Sequence, residues 1–134
     1  MTLMAIGNSA RPFQSGRAIG TYMGAPHSEV VDWLIDTGAD WSALLPSTAA
    51  NFTTAAAPAN TAPPAGTAFR LASGVEVEFT VNTPSGPTTV IASTPVIAIK
   101  ASQVGADLIG TPQLAAVQAQ VRWNAYLKTG ELCQ

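Results

Sequence analysis

Gly or Pro interrupts the chain roughly every ten to fifteen residues, and the segments between them are rich in Val, Ile, Thr and Phe. This punctuation limits the fold most, because no window carries a sustained helical repeat and the intervals suit short strands. Strands are expected at 17–23, 29–35, 67–72, 75–82, 87–92, 94–99 and 119–126. Hairpin turns are expected at 23–29, which carries Gly24 and Pro26, and at Asn82-Thr83-Pro84-Ser85-Gly86. Two short helices fit beside them: one over 46–52 with Pro46 at its entrance, and one over 111–117 with Thr111 as N-cap and Pro112 at its first position. Residues 53–66, Thr-Thr-Ala-Ala-Ala-Pro-Ala-Asn-Thr-Ala-Pro-Pro-Ala-Gly, read as a mobile Pro- and Ala-rich loop within one domain spanning 1–134. The expectation is an all-β chain with one or two short helices.

Composition excludes several classes of function. With 134 residues, 47% hydrophobic and 10% charged, the chain can bury an ordinary core and is too apolar for a disordered tail. A formal net charge of -2 and six scattered Lys and Arg give no basic stripe for nucleic acid phosphates. No apolar run is long enough to span a bilayer. The single Cys133 excludes an intrachain disulfide and a Cys-based metal cluster, and the lone His27, expected to be exposed, removes His-rich alternatives. No organic cofactor or metal is expected. The start lacks the basic and apolar regions of a signal peptide, so a cytoplasmic location is the default.

One segment carries chemistry. Leu34-Ile35-Asp36-Thr37-Gly38-Ala39-Asp40-Trp41-Ser42-Ala43-Leu44-Leu45 places a carboxylate on a tight turn between two apolar runs, where an ionisable group is costly unless it has a task. Gly38 lets the backbone turn its amides towards Asp36, and Thr37 is small enough to hydrogen-bond across a second copy of the loop. One carboxylate cannot act as acid and base at once. Two about 3 Å apart share a proton, so that the ionised member activates water and the protonated one polarises a carbonyl. With a single Asp-Thr-Gly in the chain, the second Asp36 has to come from a second chain.

The segment Val30-Val31-Asp32-Trp33-Leu34-Ile35-Asp36-Thr37-Gly38-Ala39-Asp40 resembles the catalytic segment of retroviral-type aspartic proteases, the retropepsins, and of their small bacterial relatives. Downstream, Ala106-Asp107-Leu108-Ile109-Gly110-Thr111-Pro112-Gln113-Leu114 resembles the family's apolar-apolar-Gly segment and short helix, which pack beneath the catalytic loop. Between them Phe69-Arg70-Leu71-Ala72-Ser73-Gly74-Val75-Glu76-Val77 resembles the flap hairpin of the bacterial relatives, with Ala72-Ser73-Gly74 at its tip. The likeness covers about residues 17–127.

The resemblance implies a closed acid-protease-like barrel that works as a homodimeric aspartic endopeptidase on a peptide or protein substrate. Asp36, Thr37 and Gly38 would form the catalytic loop. Ala39, Asp40, Trp41 and the flap residues Leu71, Ala72, Ser73 and Gly74 would contact substrate, while Ser42, Ile109 and Gly110 would support the loop. Ser42 stands where the family often has a hydroxyl that bonds the catalytic carboxylate, although a plain turn serine reads equally well. Asp40 is read either as a binder of substrate amides and a bracing Arg or as a surface turn carboxylate. The family's usual Arg after the downstream Gly is Thr111 here, which leaves Arg11, Arg17 and Arg122 as candidates for the bracing role. That departure, and a flap tip without Tyr or Trp, supports a rival reading: a non-catalytic dimerisation or peptide-binding module of the same fold. A structural all-β protein with an accidental Asp-Thr-Gly is the third.

Overall fold

A computed structural model describes residues 2–6, 10–56, 70–92, 97–99 and 105–134. Its longest regular unit is a hairpin of β2 (Phe13–Tyr22) and β3 (Ala25–Ile35), in register from Phe13↔Leu34 to Tyr22↔Ala25. Met23 and Gly24 close it with φ of 50° and 82°, the double left-handed geometry whose twist matches that of paired strands. The turn is therefore two residues long, shorter than the expected 23–29, and Pro26 lies within β3.

Ten further strands and two helices complete the described chain: β1 (Thr2–Met4), β4 (Ala43–Leu44), β5 (Ala55–Ala56), β6 (Arg70–Ser73), β7 (Glu76–Thr83), β8 (Gly86–Ala92), β9 (Ile97–Ile99), β10 (Asp107–Ile109), β11 (Gln120–Asn124), β12 (Thr129–Cys133), α1 (Pro46–Ala49) and α2 (Thr111–Ala116). The protein is mostly β, as its punctuation implies. The strands join in one sheet of order β5-β6-β9-β4-β10-β3-β2-β1-β12-β7-β8, with β11 on β12 and a further pairing of β2 with β7. Pairings thus run in a circuit through β1, β2, β7 and β12. Among the described residues no helix is long and apolar enough to cross a membrane.

Strict alternation builds the main core. Val77, Phe79 and Val81 on β7 point inward between the outward Glu76, Glu78, Thr80 and Asn82, and they meet Trp33, Leu44, Ile109 and Leu132. At the end of β3 both faces of the alternation are buried. Trp33 and Ile35 face this core, whereas Leu34 faces a second cluster with Ala43, Ala106 and Leu108, so the strand is buried on both sides. That accounts for its unbroken apolar run, as does its parallel pairing with β10. Gly16 on β2 allows the close crossing, since a Cβ there would stand 2.7 Å from the Trp33 ring. The indole N–H donates to Glu78 O at 3.2 Å.

Three expectations need correction. Among the described residues β6 and β7 do not pair with each other: β6 pairs with β5 and β9, and β7 with β2, β8 and β12. Ala72-Ser73-Gly74 is thus a corner, not the tip of a flap hairpin. Gly74 makes the turn at φ 103°, and the next residue, Val75, is drawn fully into the core. The N-cap of α2 is Gly110 rather than Thr111, with no side-chain cap, because the Thr111 hydroxyl is engaged elsewhere. Of the 53–66 loop, residues 55 and 56 form β5, and 57–66 lie outside the described residues, as do 67–69 and 94–96 of the expected strands.

Candidate functional site

Asp36 is the first residue beyond β3, where the doubly buried strand ends and the chain reverses over Thr37, Gly38 and Ala39. The reversal is local: Ala39 N–H donates to Asp36 O at 3.2 Å, and Gly38 N–H donates to Asp36 Oδ1 at 3.0 Å. The second bond engages one carboxylate oxygen as an acceptor. Among the described residues this is the carboxylate's one hydrogen bond, and no ion pair engages it.

The loop is held from below by a segment about seventy residues further on. β10 lies between β3 and β4, parallel to the first (Asp107↔Trp33, Leu108↔Leu34, Ile109↔Ile35) and antiparallel to the second (Leu108↔Ala43). Asp36 N–H donates to Ile109 O at 2.9 Å. Thr111 N–H donates to Ala39 O at 2.9 Å, and its hydroxyl donates to Thr37 O at 3.0 Å. Thr111 therefore pins the loop itself.

Ser42 works underneath. Its buried hydroxyl accepts Gly110 N–H at 3.0 Å and donates to Gln113 Oε1 in a short hydrogen bond. It does not bond Asp36, so its part is to support the loop's floor. Gly110 is required there, as a Cβ would stand 2.6 Å from the Trp41 carbonyl carbon and 2.9 Å from Ala39 O. Ala39 and Trp41 are half-buried and pack on the cluster of Leu34, Ala43, Ala106 and Leu108. Asp40 and Thr37 are exposed.

Asp36 and Thr37 open into a cleft of about 420 Å³ whose other walls are Arg11, Pro12, Leu34, Ile35 and, from β11, Val121 and Trp123. The three candidate arginines separate at this point. Arg11 lines the cleft; Arg17 and Arg122 do not, Arg17 donating to Ser28 Oγ at 2.7 Å and approaching Glu78 at 4.0 Å, and Arg122 pairing with Glu131 at 3.2 Å. β11 brings its half-buried Val121 and Trp123 to the cleft, and among the described residues it pairs on one side only, with β12.

Behind the loop, Asp107 Oδ1 accepts Leu45 N–H at 2.8 Å and Oδ2 accepts the Thr48 hydroxyl at 3.0 Å. Burial pushes its carboxyl above the ordinary value, against these two bonds, and the like charge of Glu29 adds to the rise.

The structure thus gathers Asp36, Thr37, Gly38, Ala39, Trp41, Ser42, Ile109 and Gly110 around one loop. Leu71, Ala72 and Ser73 belong to β6, connected to that loop through β9 and β4 rather than by direct pairing. Sequence reasoning missed Thr111 and Gln113 as loop braces and Arg11, Val121 and Trp123 as cleft walls. For Gln113 a signal existed: a polar residue beside Leu114 in a short helix directly after an apolar strand. No protein-family model and no curated protein matches the chain.

Proposed function

We propose that the protein is a homodimeric aspartic endopeptidase with a retropepsin-like closed barrel. The observation that carries this reading is the carboxylate of Asp36, which opens into a cleft from a loop braced by two distant elements and has no structural ion pair among the described residues. A turn of ordinary architecture needs no such floor.

In this reading a two-fold axis brings two Asp36 loops together, and the pair holds one proton between them because like charges that close cannot both ionise. The ionised Asp36 takes a proton from water, and its protonated partner donates to the scissile carbonyl, giving a tetrahedral diol. Thr37 would bond across to the partner loop, and Gly38 N–H donates to one oxygen of its own chain's carboxylate. Among the described residues β11 pairs on one side only, which favours an interface that includes Val121 and Trp123, and the place of Arg11 in the cleft wall favours it as the bracing arginine. Asp40, Ala39, Trp41 and the corner from Leu71 to Gly74 would contact an extended peptide, which such sites bind as an added strand.

A second reading is favoured by the absent β6–β7 pairing among the described residues: a dimerisation or peptide-binding module without turnover. A peptide library incubated between pH 4 and 7, with a statine-type analogue of the diol as inhibitor, separates the two. The peptidase should cleave, lose activity faster than linearly on dilution, and fall by orders of magnitude in Asp36→Asn with the fold intact. Retained cleavage in Asp36→Asn, or full activity in a sedimenting monomer, refutes the proposal. Peptide retention without cleavage identifies the binding module.

A further inference from the structure

The Asp36 carboxylate and the Thr111 hydroxyl sit at opposite ends of one peptide unit. The amide joining Thr37 to Gly38 is trans and planar, so its C=O and N–H point in opposite directions and can only turn together. Its N–H donates to Asp36 Oδ1 at 3.0 Å, the one hydrogen bond of that carboxylate among the described residues. Its C=O accepts the Thr111 hydroxyl at 3.0 Å.

Thr111 grips the loop twice, and the two grips differ in kind. Its backbone N–H donates to Ala39 O at 2.9 Å, a bond that any residue except Pro can make. The bond to Thr37 O needs a side-chain hydroxyl at position 111. Between the two gripped residues lies Gly38, which is exposed, and around the place a Cβ would take only Asp36 Oδ1 comes within 4 Å, at 3.4 Å. Packing on that side therefore does not set the angle of the peptide plane, and glycine leaves the backbone free to turn.

We infer that Thr111 is a positioning residue for the Asp36 carboxylate: its hydroxyl fixes the Thr37–Gly38 peptide and, through that rigid plane, the direction from which Gly38 N–H holds Oδ1. With the hydroxyl gone the plane can rock while Ala39 stays docked, and each turn carries the N–H away from the carboxylate. Hydrogen bonds in series also polarise one another, so the donor to Asp36 is strengthened as well as aimed. The orientation of the carboxylate follows from these bonds alone; only its effect on turnover rests on the peptidase reading.

Thr111→Val removes the hydroxyl at nearly constant shape and spares the backbone bond to Ala39, and Thr111→Ser returns the hydroxyl without the methyl. Exchange of the Gly38 amide, followed by NMR, should quicken about tenfold in Thr111→Val and return to within about twofold of wild type in Thr111→Ser, with the Thr111-position amide unmoved in both. On a cleaved peptide, kcat should fall by about tenfold or more in Thr111→Val with KM held within about twofold, and Thr111→Ser should recover it. A Gly38 amide indifferent to Thr111→Val overturns the inference, since water then serves the Thr37 carbonyl equally well. Equal quickening at Gly38 and position 111 overturns it too, because the loop then lifts as a whole, as does a Thr111→Ser protein that recovers neither exchange nor kcat. An unchanged kcat beside a quickened Gly38 amide overturns the positioning role. Thr111→Ala strips the same bond and gives the same readings if the valine variant does not fold. A wild-type protein that cleaves no peptide refutes the peptidase reading, and the two amides still decide this one.

Discussion

Gly110→Ala tests whether the Asp36 loop is held by close backbone packing. The added carbon would lie 2.6 Å from the Trp41 carbonyl carbon and 2.9 Å from Ala39 O. Carbon atoms pack at roughly 3.5–4.0 Å, so the overlap is about 1 Å. Both obstacles are backbone, with no flexible side-chain end to move aside. Relief requires the turn at Ala39–Trp41 to lift from α2, which strains the 3.0 Å bond from Gly110 N–H to Ser42 and the 2.9 Å bond from Thr111 N–H to Ala39 O. Overpacking costs about 1–3 kcal/mol, and with two buried bonds at stake a value near the top of that range is expected. With a urea dependence of about 2 kcal/mol per molar, the unfolding midpoint should fall by roughly 1.5 M. Gly38→Ala is the control, because its Cβ would meet only Asp36 Oδ1, at 3.4 Å, and the residue is exposed. It should stay within about 0.5 kcal/mol of wild type. A Gly110→Ala protein that unfolds at the same urea concentration as Gly38→Ala refutes the packing argument.

Ser42→Ala strips Gly110 N–H and Gln113 Oε1 of one shared partner, and it should lower stability by about 2–4 kcal/mol, read from urea unfolding. A loss below about 0.5 kcal/mol means the hydroxyl is not the floor of the loop. Gln14 is buried on β2 and imitates a strand rung, donating to Thr80 O at 3.0 Å and accepting Thr80 N–H at 2.7 Å. Gln14→Leu should cost about 2–3 kcal/mol and raise amide exchange at Thr80 above that at Val77, which stays in its ladder; equal exchange at the two sites counts against this role.

The sequence carried the β-class, the central strands and the turn after Asp36, because these depend on local chemistry. Val77, Phe79 and Val81 alternate with polar residues, and Asp36-Thr37-Gly38 interrupts an apolar run. β4, β5 and β10 are two or three residues long, too short for a period to register, and exist only because distant partners supply their hydrogen bonds. The N-cap of α2 was misplaced for a related reason. Thr111 has the right chemistry for a cap, but the Thr37 carbonyl, seventy-four residues away in sequence, claims its hydroxyl. The corner at Gly74 was read as a hairpin tip since a glycine with positive φ serves both; the burial of Val75 decides between them, and burial is a tertiary property. That Arg11, and not Arg17 or Arg122, lines the cleft beside Asp36 depends on the tertiary arrangement of the strands.

The position of β10 between β3 and β4 sets an order in time. β3 and β4 are made before β10, and in the fold they are not paired with one another but separated by residues 107–109. A chain emerging from the ribosome can zip β2 to β3 by local contacts, yet the Asp36 amide has no acceptor until Ile109 has been made and threaded into place. Closing so long a loop is slow compared with forming a hairpin. The bracing of the Asp36 turn by Ile109 and Thr111 therefore waits for β10, and a shorter nascent chain carries the motif without its floor.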